Sequence, residues 1–233
     1  MEKWQGKLKA VTFSFDDGVT QDRRLVPLLN KYGLKSTFNL NSALFGTHGE
    51  LDIFGKITKH DIISPAEVKT LYKGHEIAVH TLSHPNLTGL DEDSIIYQVE
   101  KDRLNLSELA GYEVIGMAYP CGGVNNDERV ADIIKRRTGV KYSRTITSTY
   151  GFGLPENPYR YYPTVPYQEH EKMFELAEKF VDLKSDKPQL FYIWGHSYEM
   201  DAELITWERF EEFCKFISNR SDIFYGTNKE TLL

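Results

Sequence analysis

Two adjacent carboxylates, Asp16 and Asp17, stand at the end of the stretch around which the chain is organised. The preceding run, Ala10–Phe15, is apolar and β-branched, a pattern typical of a buried strand, and Gly18 follows the two acids. Two acids at the end of a strand repel each other unless positive charge lies beside them. The sequence therefore predicts a cation at this end of the strand.

A second chemical feature follows a later apolar strand, 76–79. His80 and His84 are four residues apart, a spacing that lets both rings reach one ion, although the same spacing also occurs in ordinary polar loops. With one carboxylate they form a His₂Asp set, which is the composition of a catalytic rather than a structural zinc site. His48 and His75 are expected to be structural or surface residues, because neither follows a strand in the required direction.

The elements that must position these groups alternate between strand and helix patterns, which indicates parallel βα units. Strands are predicted over 10–15, 36–40, 76–79, 114–118, 142–146, 189–194 and 223–225, and helices over 22–32, 64–74, 91–110, 127–138, 168–183 and after Thr206. Residues 41–63 are predicted to be an irregular rim loop with a short strand, and 148–167 an extended loop.

The candidate polar groups come directly after predicted strands. Asp16 and Asp17, His80, Tyr119 with Pro120, and His196 each follow a different strand. In a parallel barrel all strands open their carboxyl ends on one face, where active sites lie. We therefore predict a distorted (β/α) barrel of about seven parallel strands, similar to a TIM barrel. No linker or repeat divides the chain, so residues 1–233 are predicted to form a single catalytic domain.

The overall composition excludes several functions. The net charge of −6 gives no reason to expect a nucleic-acid or anionic-membrane partner, and no apolar run approaches the ~20 residues of a membrane span. The first residues lack the apolar core of a secretion signal, so a cytoplasmic location is expected, or an extracellular one if a leader has been removed. Two cysteines, Cys121 and Cys214, do not make a disulfide framework.

The two motifs also carry a family resemblance. Ser14–Gly18 (SFDDG) and His80–His84 (HTLSH) resemble the first two motifs of the polysaccharide deacetylases, carbohydrate esterase family four or the NodB-homology domain, and the likeness extends over about residues 9–230. The resemblance implies that Asp17, His80 and His84 bind a metal ion and that Asp16 is the general base. It also implies that His196, in the last motif, protonates the leaving group.

For the substrate pocket, the resemblance implies that Trp194 lines the acetyl site. It implies that Tyr119, just before Pro120, lies where a backbone N–H contributes to the oxyanion hole. One position departs from the family, because Ala118 stands where an arginine usually holds the catalytic base. Arg160 is the candidate to replace that cation.

Three further side chains are candidates for supporting roles around the same site. Tyr162 is expected to fill the apolar wall that the family's fourth motif normally provides. Glu199 or Asp201 could orient the imidazole of His196, or could simply be solvated. Cys121 could in principle supply a catalytic thiol, but the predicted carboxylates and histidines already account for hydrolysis.

These observations together predict a hydrolase that removes an N-acetyl or O-acetyl group from a sugar with one divalent ion. Two nitrogen ligands favour zinc, and cobalt, nickel or manganese suit the same set. One alternative is a deformylase or cyclic amide/ureide hydrolase with a small non-sugar substrate. Another is a carbohydrate-binding relic without turnover, which Ala118 favours and which Asp16 and His196 oppose.

Overall fold

The computed structural model describes residues 3–233, and parallel strands form its frame. The strands are β1 (Lys9–Asp17), β2 (Ser36–Leu40), β3 (Glu50–Ile53), β4 (Lys56–Lys59), β5 (Glu76–Val79), β6 (Gly116–Ala118), β7 (Tyr142–Arg144), β8 (Val165–Pro166), β9 (Gln189–Gly195) and β10 (Ile223–Tyr225). The helices are α1 (Asp22–Lys31), α2 (Val68–Leu71), α3 (Glu92–Ala110), α4 (Glu128–Arg137), α5 (His170–Asp182), α6 (Tyr198–Asp201), α7 (Trp207–Ile217) and α8 (Asn228–Leu232).

The main sheet has the strand order β7-β6-β5-β2-β1-β9-β8, and β10 pairs with the start of β1. All of these pairs are parallel. The sheet curls, and an isolated parallel bridge between Arg144 and Tyr161 continues it beyond β7. The predicted distorted barrel of parallel strands is thus confirmed. We call the carboxyl ends of its strands the mouth and their amino ends the floor.

The helices cover the sheet with apolar faces. In α3, for example, Ile95, Val99 and Leu106 are fully buried, as their helical spacing requires. The helix begins at the N-cap Asp91, whose side chain accepts a hydrogen bond from the Ser94 amide at 2.8 Å. It ends at Gly111, whose left-handed backbone is the usual helix stop.

The two predicted loop stretches contain more strands than expected, since one short strand was predicted within 41–63 and none within 148–167. Within 41–63, β3 and β4 form an antiparallel hairpin, and its tight turn at Phe54 and Gly55 uses two positive φ angles. Within 148–167, β8 pairs with β9 and extends the sheet. Short strands of this kind depend on their partner for stability, so their local sequence gives a weak signal.

The helix predicted over 64–74 is shorter than expected. The capping box of Ser64 and Glu67 is present, but it opens a 3₁₀ turn, Pro65–Glu67, that passes into the single turn of α2. Of the helices in the described residues, none combines the length and apolar character needed to cross a bilayer.

Candidate active site

Asp16 is buried in the barrel interior and is held by a cation. One guanidinium nitrogen of Arg144 donates to both of its carboxylate oxygens, with a distance of 2.6 Å to Oδ1, and the amide of Asn39 donates to the same Oδ1 at 2.7 Å. Burial opposes ionisation, but Arg144 and the nearby imidazoles hold the pKa of Asp16 below its ordinary value. Asp16 is therefore an ionised, oriented carboxylate at neutral pH.

Arg144 thus provides the positive charge that Ala118 does not, and the prediction that Arg160 fills this role is wrong. Arg144 is fully buried, and its guanidinium lies 4.6 Å from the centre of the Trp194 ring. Arg160 instead pairs with Glu128 on the surface side of α4. A partial signal for Arg144 existed in the sequence, because it lies within the predicted strand 142–146, but only the structure shows that the strand ends at Arg144 and so places it at the mouth.

Asp17, His80 and His84 converge on one point. Oδ1 of Asp17 lies 3.6 Å from Nε2 of His80 and 3.5 Å from Nε2 of His84, and one ligand atom from each residue lies within 4.8 Å of the other two. These distances suit three ligands that surround a single ion. The backbone of Asp17 and His84 has positive φ, as does that of Thr81, so the chain is turned sharply to bring the ligands together.

The donor set fits a metal ion in its chemistry as well as its geometry. His80 donates through Nδ1 to the carbonyl of Ala118 at 2.9 Å, which leaves Nε2 as the free ligand atom. Burial lowers the pKa of His80 to about 4, so its imidazole is neutral, as a ligand must be. Oδ1 of Asp17 is buried without a hydrogen-bond partner in residues 3–233. A cation would satisfy that oxygen.

The second oxygen of Asp17 contacts a residue outside both motifs. Nε2 of His60, just after β4, lies 3.1 Å from Oδ2 of Asp17. Burial opposes ionisation of Asp17, but this hydrogen bond and the surrounding imidazoles hold its pKa below the ordinary value. No local pattern predicts this contact, because His60 follows a hairpin strand rather than a strand of the barrel.

His196 lies beside the other acid, Asp16, and beside Glu199. Its Nε2 is 3.9 Å from Oδ2 of Asp16, and its Nδ1 is 3.0 Å from Oε1 of Glu199. Burial favours the neutral ring, but the Glu199 carboxylate and those of Asp17 and Asp16 raise the pKa of His196 to about 9. His196 is therefore protonated at neutral pH. Asp201, the other candidate partner, accepts from the indole of Trp207 instead.

These groups line one cavity of about 380 Å³ at the mouth. Its walls include the predicted residues Asp16, Asp17, His80, His84, Tyr119, Trp194 and His196, joined by residues that were not predicted, among them Leu51, Ile146 and Tyr198. Tyr162 does not belong to this wall: its ring is more than a third exposed and lies 6.0 Å from the Arg160 guanidinium.

The backbone around Pro120 also differs from the prediction. The N–H of Tyr119 donates to the carbonyl of Arg144 at 2.9 Å, so it is not free to face an oxyanion. Pro120 has no N–H, and its carbonyl accepts from Asn125 at 3.1 Å. The next N–H belongs to Cys121, which lines the cavity. Burial raises the pKa of the Cys121 thiol, which argues against a catalytic thiolate.

The family model described as polysaccharide deacetylase matches residues 4–142, more than half of the chain. The chain belongs to the polysaccharide deacetylase family. The resemblance stated from the two motifs is thereby confirmed.

A curated relative and several solved structures are similar to this family member. A peptidoglycan-N-acetylglucosamine deacetylase from Bacillus cereus is 33% identical over 116 residues, covering 49% of this chain and 37% of the relative. The match therefore spans little more than a third of that protein. A family 4 carbohydrate esterase from Streptomyces lividans, in complex with acetate, aligns with a TM-score of 0.55 at 13% identity, over 95% of this chain and 92% of that one.

Two further structures extend the comparison of the fold. The Xyl-CE4 domain of a multidomain xylanase from the hindgut metagenome of Trinervitermes trinervoides has a TM-score of 0.61 at 14% identity, over 96% of this chain and 89% of that domain. A CE4 family pseudoenzyme from Bacillus anthracis has a TM-score of 0.58 at 17% identity, over 97% of this chain and 66% of the other. At these identities the likeness shows the shared fold alone, and that fold occurs with and without activity.

Proposed function

We propose that this polysaccharide deacetylase family member is a metal-dependent hydrolase that removes an N-acetyl group from a carbohydrate. The observation that carries the proposal is the convergence of three groups on one cavity. These are a metal-ligand cluster with an oxygen that has no hydrogen-bond partner among residues 3–233, an ionised carboxylate beside it, and a protonated imidazole in the same cavity. Direct attack of water on an amide can use all three, because the water must be activated, the oxyanion stabilised and the amine protonated as it leaves.

Asp17, His80 and His84 would hold the ion, with zinc favoured by the two nitrogen ligands and cobalt, nickel or manganese as substitutes. When bound, a divalent ion lowers the pKa of a water molecule and polarises a carbonyl oxygen. The protein supplies the remaining chemistry through its own side chains.

Asp16 accepts the proton of the attacking water. Its two oxygens are fixed by Arg144 and Asn39, so the base points in one direction and stays ionised. His196, kept protonated by Glu199, gives its proton to the leaving nitrogen. The Cys121 backbone N–H is the proposed donor to the oxyanion, in place of the Tyr119 N–H.

The walls of the cavity fit a small acyl group. Trp194, Leu51 and Ile146 present apolar surface beside the polar cluster, which suits a methyl group and limits the access of water. Trp194 is also held by Arg144, so the same guanidinium positions the base and the apolar wall. The name of the curated relative makes N-acetylglucosamine in peptidoglycan the first substrate to test.

The hypothesis of a carbohydrate-binding relic without turnover loses its main support. Arg144 provides the positive charge that is missing at position 118, where the residue is Ala118. The test is metal analysis of the purified protein, followed by acetate release from N-acetylglucosamine oligomers, peptidoglycan and acetylated xylan. Turnover of a small imide without acetate release would favour the non-sugar alternative. Tight sugar binding without product would favour the relic.

Two variants test the assignment of roles. Asp16→Asn is expected to lower kcat by about 10²- to 10⁴-fold while the metal remains bound, because only the base is lost. His84→Ala is expected to lose the metal, with His170→Ala, outside the cavity, as the matched control. A full equivalent of metal in His84→Ala would show that the ligand assignment is wrong.

A further inference from the structure

The β3–β4 hairpin brings one imidazole, His60, against the ligand cluster. His60 follows β4 directly and is about a fifth exposed, and its Nε2 is 3.1 Å from Oδ2 of Asp17. An ionised carboxylate can only accept a hydrogen bond, so Nε2 of His60 carries the hydrogen that it shares with Asp17. This contact joins an element outside the barrel to a proposed metal ligand.

The backbone fixes the position of His60. Its own N–H donates to the carbonyl of Gly49 at 2.8 Å, across the base of the hairpin. The segment after it is paired with the residues that follow Asp17: Thr20 donates to Asp61 at 2.8 Å and Ile63 donates to Gly18 at 3.0 Å. The imidazole is thus presented to Asp17 by two stretches of chain that are hydrogen-bonded to each other, rather than by a free loop.

The two oxygens of Asp17 have different surroundings. Oδ2 contacts His60, whereas Oδ1 faces Nε2 of His80 and of His84 and has no hydrogen-bond partner in the described chain. The three-residue cluster that could hold an ion includes Asp17, His80 and His84 but not His60. The His60 ring packs edge-on against Tyr198, with ring centres 5.1 Å apart. His60 lines the same cavity as the cluster but contacts Asp17 through Oδ2, whereas His80 and His84 are nearest to Oδ1.

We propose that His60 is a positioning residue for the metal site: it donates Nε2–H to Oδ2 of Asp17 and so fixes the carboxylate with Oδ1 facing Nε2 of His80 and of His84, the two other residues that would hold the ion. The inference rests on the proposed function, because it requires that Asp17, His80 and His84 bind a metal. Partners behind a metal ligand fix its orientation, and their removal weakens metal binding by about 10- to 100-fold.

The test is the zinc affinity of the full chain, measured by competition with a chromophoric chelator. His60→Ala is expected to bind zinc about 10- to 100-fold more weakly than the wild type. His60→Gln is expected to recover part of the loss, because its amide nitrogen can still donate to Asp17. The matched control is His48→Ala: His48 is 82% exposed and pairs with Asp61 at 3.1 Å on the same insertion, without contacting Asp17.

A second readout is the absorption spectrum of the cobalt-substituted protein. A fixed carboxylate and a rotating one give different coordination geometries, so we expect the band intensities to change in His60→Ala and not in His48→Ala. A purely structural role for His60 would lower the thermal midpoint of unfolding without changing either the affinity or the spectrum of the folded protein.

The outcomes separate this inference from the proposed function. Zinc binding by His60→Ala with wild-type affinity overturns the inference and leaves the metal site standing. No zinc binding by the wild type shows that the metal site itself is wrong, and the inference falls with it. If His60→Ala does not fold, His60→Gln is compared with His60→Met, which has no donor; equal affinities of these two variants overturn the inference.

Discussion

Both ends of the barrel bury carboxylates, but they surround them differently. At the floor, Glu76 accepts from the Thr37 hydroxyl at 2.7 Å, the Tyr142 hydroxyl at 2.9 Å and the Lys229 backbone N–H at 2.8 Å. At the mouth, Oδ1 of Asp17 has no hydrogen-bond partner within residues 3–233. Both oxygens of the floor carboxylate have partners in the protein, whereas one oxygen of Asp17 at the mouth is left for a bound group.

The source of charge differs as well. Burial raises the pKa of Glu76, and three neutral hydrogen-bond donors oppose that rise, with a smaller contribution from the charge of Lys229. At the mouth, Arg144 and several imidazoles keep the pKa of Asp16 low despite complete burial. The floor therefore uses a carboxylate as a structural acceptor that fixes the start of α8. At the mouth, burial of the ionised Asp16 carboxylate costs stability, and the proposed reaction requires that charge.

The largest expected effect tests the charge at the mouth. Arg144→Met should lower the activity at neutral pH by about 10²-fold or more, because Asp16 loses its cation, its pKa rises and the base becomes protonated. The acid limb of the pH profile of kcat/KM should move to higher pH.

Arg160→Met is the matched control for Arg144→Met, since Arg160 pairs with Glu128 outside the cavity. An unchanged acid limb in Arg144→Met would contradict the role given to that guanidinium. A large loss in Arg160→Met would restore the original prediction.

The second prediction concerns the floor. Glu76→Ala should lower the free energy of unfolding by about 2–4 kcal/mol, because three donors lose their buried acceptor. The kcat of the folded protein should stay unchanged, since Glu76 lies at the far end of β5 from His80. Urea titration and a rate assay check the two statements separately.

Glu76→Gln serves as the milder variant at the floor, because the amide retains one acceptor. We expect a smaller loss of stability than in Glu76→Ala. A fall in kcat in either floor variant would mean that the two ends of the barrel are coupled, and the comparison would have to be abandoned.

The smallest effect is expected at the proposed acid. His196 has a pKa of about 9, raised chiefly by Glu199, so it stays protonated through neutral pH and loses its proton above that value. Glu199→Gln removes the charge and should move the basic limb of the kcat profile down by about one unit or more. Asp201→Asn is the control, because Asp201 binds Trp207 rather than His196. A basic limb that stays in place would exclude His196 as the titrating acid.

Much of the site could be predicted because strand ends are local features. The apolar run before Asp16 and the short run before His80 each indicate a buried strand, and parallel strands must open on one side. This argument predicted which residues lie at the mouth. It did not predict which of them face each other, as the replacement of Arg160 by Arg144 shows.

The sequence by itself determined the parallel barrel and the placement of Asp17, His80 and His84 at its mouth, because apolar periodicity and strand order are written along the chain. The tertiary structure alone decided the partners of the two acids. Arg144 lies on β7, with β6, β5 and β2 between it and β1 in the sheet, and only the curl of the sheet brings it across the interior to Asp16. His60 reaches Asp17 through a hairpin whose position depends on its pairing with residues 18–20. Such contacts join distant parts of the chain, so no local pattern specifies them.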